Sequence, residues 1–261
     1  MMLDRFKEFK RLNESKSDID SICEKYNIKN YTINDDLSID VEGNVYLSNK
    51  KLMKLPLTFR NVSGHFKCYD NQLTTLEGSP SSVGGNFSCS NNQLTTLEGS
   101  PRTVGGNFWC ENNQLTSLKG SPKTVGGYFD CDNNQLTTLS GGPKTVGGDF
   151  DCYNNQLTSL SGSPRTVGGK FWCFNNQLRD VNGFPERFYG KYISIYNNPV
   201  EEIFNLFPEE KWVELPELLI EHQVIKSKWI IFLGLEECFY DLGLEVLKGL
   251  ENKKFKHYEI R

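Results

Sequence analysis

Six cysteines stand at positions 68, 89, 110, 131, 152 and 173, each 21 residues after the last. A thiol can ligate a metal, close a disulfide or act as a nucleophile, and each use has its own spacing. Zinc takes ligands paired closely in sequence, with Cys or His converging on them. These cysteines are single, and the histidines are His65, His222 and His257 alone. A nucleophilic cysteine needs a base beside it. Outside the periodic set stand Cys23 and Cys238, of which Cys238 shares its part of the chain with His222 and His257. Carboxylates and cations follow the same period. Asp130 and Asp151 are one interval apart, as are Glu111 and Asp132, and clustered carboxylates attract divalent cations or cationic partners. Arg102, Lys123, Lys144 and Arg165 also recur at that interval, a file able to contact phosphates.

What must position these side chains is a repeat. The phrase V-G-G-x-F-x-C-x-x-N-x-L-T-x-L-x-G-x-P recurs from Phe66/Cys68/Asn71/Leu73 to Phe171/Cys173/Asn176/Leu178. A period in the low twenties with regular Leu and Asn is the leucine-rich-repeat signature, in which each turn adds one short strand to a curved parallel sheet. Degenerate copies at Val45, Leu47, Leu52 and Leu55, and at Ile193, Ile195, Asn198 and Val200, extend the array to about eight turns. The return path carries Pro80, Pro101, Pro122, Pro143, Pro164 and Gly-Gly pairs, a composition that excludes regular helix. The predicted fold is therefore a repeat solenoid: a leucine-rich-repeat horseshoe with a parallel β-sheet on its concave face, a mostly non-helical convex side and helical N- and C-terminal caps. Residues 1–43 read as a helical cap and a strand leading into the repeats, 44–204 as the solenoid and 205–261 as a mainly helical cap domain. Helical spacing of Leu3, Phe6, Phe9 and Leu12, then of Ile19, Ile22, Cys23 and Tyr26, supports the first of these.

Alternation along a strand turns Phe108 and Cys110 inward and Asn107, Trp109 and Glu111 outward. Neighbouring cysteines then lie ~4.8 Å apart with parallel side chains, a geometry that holds their Cβ atoms beyond disulfide reach. They are expected to fill the core as small hydrophobes. Asn71, Asn92, Asn113, Asn134, Asn155 and Asn176 turn inward to pair with backbone groups. The Gly-Gly pairs precede strands and not helices, so they are not phosphate loops.

Specificity must come from what does not repeat. The outward concave candidates for partner binding are Trp109, Glu111, Tyr128, Asp130, Asp132, Asp149, Asp151, Tyr153, Trp172, Phe174 and Tyr196. Like charges side by side cost stability, and exposed aromatics are characteristic of contact surfaces. The pattern points to a recognition patch for a protein with a basic or amide-rich surface. Two alternatives stay open: free drift of solvent-facing positions, and a divalent cation held by Asp130, Asp132, Asp149 and Asp151. No metal site or cofactor is assigned. Arg102, Lys123, Lys144 and Arg165 form a basic convex edge, read as a solvated face that keeps the array soluble.

A net charge of -4 over 261 residues argues against bulk nucleic-acid binding. The start, MMLDRFKEFKRLNESK, lacks the apolar run of a secretory signal, and no stretch reaches the ~18 apolar residues of a membrane span. A cytoplasmic protein is expected.

The repeat, preceded by SDIDSICEKYNIKNYTIN and DVEGNVYLSNKKLMKLP, resembles the leucine-rich-repeat proteins encoded by large tailed bacteriophages. The resemblance runs from about residue 15 to about residue 204, and more loosely through ELLIEHQVI. It implies an accessory protein made in the cytoplasm of an infected bacterium, one that binds and inhibits or redirects a host protein such as an antiviral defence factor. The shared positions are structural, so no functional residue carries over. The rival reading is a structural or adhesive virion or surface protein that binds a receptor or glycan by aromatic stacking. Bacterial leucine-rich-repeat ubiquitin ligases append a helical cysteine domain to a similar horseshoe, but GLEECFYDLG around Cys238 lacks their Cys-x-Asp. No enzymatic activity is expected.

Overall fold

The repeat phrase places two short extended pieces in every turn, and each pairs with its own copies. A computed structural model describes residues 15–190 and 192–200. The Phe-containing pieces, Val45–Tyr46, Phe66–Lys67, Phe87–Ser88, Phe108–Trp109, Phe129–Asp130, Phe150–Asp151, Phe171–Trp172 and Ile193–Ser194, form an eight-stranded parallel sheet. Register is one repeat per strand, with Phe129 opposite Phe108 on one side and Phe150 on the other. This is a leucine-rich-repeat solenoid.

The return path holds a second sheet. Ser82–Val83, Thr103–Val104, Thr124–Val125, Thr145–Val146 and Thr166–Val167 pair in parallel, flanked by Phe59–Val62 and Arg187–Phe188. Sequence reasoning excluded regular helix there but did not anticipate a sheet. Two residues suffice because four successive turns offer the same β-branched Thr-Val pair at the same height. At one edge this sheet is closed by an antiparallel hairpin, Tyr31–Ile33 against Ile39–Val41.

Between the sheets the side chains form ladders. Phe66, Phe87, Phe108, Phe129 and Phe150 stack with centroids 5.1–5.6 Å apart, and each is fully buried. Parallel strands impose that offset, which aromatic rings favour. Cys68, Cys89, Cys110, Cys131, Cys152 and Cys173 are buried free thiols. Burial pushes the Cys68 thiol up to about 12 and the other five up as well. Each Asn of the inward ladder closes one bend. Asn113 Nδ2 donates to the carbonyls of Cys89 and Cys110, both at 3.1 Å, while its Oδ1 accepts from Leu94 N–H at 3.0 Å.

The residue before that Asn has its own explanation. Asn112, Asn133, Asn154 and Asn175 sit at φ 48–55°, in the left-handed region, which Asn enters more readily than branched residues. Two glycine positions are equally constrained. Gly120 has φ +95°, and a Cβ on Gly126 would collide with the Gly105 carbonyl oxygen of the previous turn. Successive turns approach too closely there for any side chain.

Residues 15–25 are helical and bring Ile19 and Cys23 into the core, with Ile22 and Tyr26 packed against it. Leu3, Phe6, Phe9 and Leu12, and the whole predicted C-terminal cap with Cys238, His222 and His257, lie outside the described residues. Among the described residues no helix is long and apolar enough to cross a membrane.

Candidate functional site

The register converts the outward positions of the eight-stranded sheet into columns. One column runs Lys67, Ser88, Trp109, Asp130, Asp151, Trp172 and Ser194, each opposite the next. Two aspartates on adjacent strands are thus bracketed by two indoles. Two residues further along each turn lies a second column, Ser90, Glu111, Asp132, Tyr153, Phe174 and Tyr196. In it Tyr153 and Phe174 stack at 4.4 Å, and Phe174 meets Trp172 edge-on at 6.3 Å. Lys170 lies 5.3 Å over the Trp172 ring and 5.8 Å over Tyr192, a cation–π pairing with both rings.

The patch is less open than the sequence suggested. Trp109, Glu111, Asp130, Asp149, Asp151, Tyr153, Trp172 and Phe174 are half-buried, while Tyr128 and Tyr196 are exposed. Asp132, expected to face solvent, is only 3% exposed. Side chains one strand spacing apart lean on each other, and large neighbours above and below cover the shorter aspartate. Asp132 accepts from Tyr153 and, at 3.1 Å, from Asn133 Nδ2. It therefore supports the patch from beneath.

Asp149 has a backbone task. Its Oδ1 accepts from Lys170 N–H at 2.8 Å. The same link joins Asn44 to His65 N–H, His65 Nδ1 to Asn86 N–H, Asn86 to Asn107 N–H and Asn107 to Tyr128 N–H. This ladder, one residue before each strand of the eight-stranded sheet, escaped sequence reasoning although its Asn, His and Asp acceptors were visible at 21-residue spacing. Tyr128 interrupts it, has no acceptor near its Cβ, and projects outward with 50% of its surface exposed.

Electrostatics single out the bracketed pair. Burial, then the charges of Asp132, Glu111 and Asp151, pushes Asp130 up to about 8, against the Asp132 N–H that donates to its Oδ1 at 3.0 Å. Burial, then Asp149 and Asp132, pushes Asp151 up to about 7, with Lys170 opposing. Glu111 is raised by burial against a hydrogen bond from Ser90, and Asp132 by burial against Tyr153 and Asn133. Two carboxylate oxygens, Glu111 Oε2 and Asp151 Oδ1, are shut off from solvent with no hydrogen-bond partner. Despite the density of carboxylates, no group of three or more His, Cys, Asp or Glu among the described residues converges as a metal ligand set.

The basic file stands apart, along the second sheet. Arg102, Lys123, Lys144 and Arg165 are exposed and linked through backbone ladder bonds of 2.8–3.3 Å. Arg165 pairs with Glu186 at 2.8 Å. Among the described residues the other three have no ion-pair partner.

Comparison with known proteins yields fold neighbours only. No family model matches the chain, and no curated protein matches its sequence. YopM, a leucine-rich effector protein from Yersinia pestis, aligns with a TM-score of 0.40 and 19% identity over 59% of this chain and 49% of its own. YopM from Yersinia enterocolitica aligns with a TM-score of 0.35 and 15% identity, covering 59% and 47%. The chain thus spans about half the length of these neighbours.

Proposed function

We propose that the protein is a non-catalytic binding module whose concave face takes a protein partner with a basic or amide-rich surface. The observation that carries this reading is the row Trp109, Asp130, Asp151, Trp172, one register-matched line of indole, carboxylate, carboxylate and indole. Repeat drift has no reason to put two like charges opposite each other, since the pairing destabilises the free sheet. A cationic side chain laid along the line would meet carboxylates from below and ring faces from both ends. Aromatic residues are also the side chains on which interface energy concentrates. Asp132 and Asp149, committed to internal hydrogen bonds, hold the line in place.

The resemblance to bacteriophage leucine-rich-repeat proteins supports a setting for that partner. In this reading the chain acts in the cytoplasm of an infected bacterium and inhibits or redirects a host protein, with antiviral defence as the natural target. Capture from bacterial lysate tests the surface: the native chain should retain a partner that Asp130→Lys/Asp151→Lys and Trp172→Ala lose by more than tenfold. Equal recovery by folded variants would move the binding site off this face. Mass spectrometry of purified virions tests the setting, since an intracellular inhibitor should be missing from them.

A further inference from the structure

The bracketed aspartates raise a question that binding alone does not answer: how the free protein tolerates them. Asp130 and Asp151 are in register on neighbouring parallel strands, which sets their side chains ~4.8 Å apart. Around them stand Glu111 and Asp70 toward the N-terminal turns, Asp132 on the same turn as Asp130, Asp149 and Tyr153 on the following turn, and Lys170 beyond. Beneath lie the Cys110, Cys131 and Cys152 thiols, which burial keeps neutral. Between Glu111 and Asp151 five carboxylates thus face one cation that is partly engaged with two aromatic rings, while Lys67 stands at the N-terminal end of the same column. Asp151 Oδ1 and Glu111 Oε2 are sealed from water without a donor. An ionised oxygen in that position loses its hydration and receives nothing in return.

A proton resolves this. We propose that Asp130 and Asp151 share protons at neutral pH and make the concave face a proton-operated switch. In acid the row presents neutral carboxyl groups that donate hydrogen bonds. In mild alkali the protons pass to water, and the row becomes a pair of carboxylates that accept from cations. Burial and like-charge crowding raise both groups toward the physiological range, where a cationic partner completes the same ionisation by displacing protons to solvent. This regulation rests on the concave-face reading for its role, although the proton equilibrium exists in the free chain. Linkage then requires partner affinity to rise with pH by up to about tenfold per unit for each proton displaced.

The test is a carboxyl-resolved 13C NMR titration of the full chain without partner. The Asp130 and Asp151 signals should move together at about pH 6–9, well above the ordinary Asp value of about 3.9. In Asp151→Asn, a near-isosteric change, the Asp130 midpoint should fall because a like charge is gone, and Asp130→Asn should act reciprocally on Asp151. Titration of both groups below about pH 5 overturns the switch, as does an Asp130 midpoint indifferent to Asp151→Asn. The two readings fail separately. Normal aspartate titration together with loss of capture by Asp130→Lys/Asp151→Lys leaves the binding face and removes the switch. Coupled titration near neutrality with undiminished capture leaves the switch and removes the binding face.

Discussion

A single asparagine and a single cysteine show how little freedom each residue in a turn retains. Asn134 donates to the Cys110, Cys131 and Asp132 carbonyls at 2.9–3.2 Å and accepts from Leu115 N–H at 3.0 Å. Replacing it by Ala would strand those buried groups, and the expected cost is about 1–3 kcal/mol or more, measured by denaturant unfolding. A change within experimental error would mean that the bend satisfies itself by other means. The cysteine beside it has lost its chemistry. Cys131 is fully buried, its Sγ donates to the Asp151 carbonyl at 3.2 Å, and its thiol is held well above the ordinary range by burial. The six ladder cysteines should be silent to a thiol reagent in native protein and react together on unfolding. Fast labelling of any ladder cysteine in the native state would contradict the packing. The sequence made both assignments legible, because a 21-residue interval is incompatible with zinc pairs and with disulfide geometry.

At the level of the element, the Gly-Gly pairs determine how closely turns stack. The first glycine of each pair sits under the carbonyl of its predecessor, as Gly126 does under Gly105. Gly126→Ala should therefore destabilise the solenoid by at least the ~1–3 kcal/mol of an overpacked site, although Ala normally strengthens a chain that needs no positive φ. A thermal melt unchanged by that substitution would show that the turns can slide apart. Sequence reading took these glycines as incompatible with helix and with phosphate loops. It did not anticipate the second sheet, since two-residue strands leave no periodic signature of their own. They form because equivalent Thr-Val pairs are delivered in register by the repeat.

For the molecule as a whole, opposing groups of carboxylates set the pH profile. Asp130, Asp151, Glu111 and Asp132 are raised in the folded state, so between about pH 4, where unfolded Asp ionises, and about 8, where Asp130 does, these four groups hold more protons in the native chain than in the unfolded one. Stability falls as pH rises through that window. Asp40, lowered to about 2 chiefly by Arg60, acts in the opposite sense and loses its contribution only as pH falls below the unfolded value. The melting temperature should peak near about pH 4–5 and decline toward pH 8, and Asp130→Asn/Asp151→Asn should flatten that decline. A maximum at pH 7–8 in the native chain would refute this balance.

The sequence by itself determined the period, and the period determined the fold, the inward ladders and the pairing of Asp130 with Asp151. Such contacts join equivalent atoms of identical turns, so spacing alone encodes them. Tertiary structure decided which outward residues remain available. Asp132 is buried under Tyr153, Asp149 is tied to Lys170 N–H, and Trp109 and Trp172 are half covered. Those outcomes depend on how unlike side chains on adjacent strands lean across a gap of ~4.8 Å. Only the assembled sheet brings a tyrosine, an aspartate and a sealed carboxylate oxygen close enough to settle which of them meets solvent.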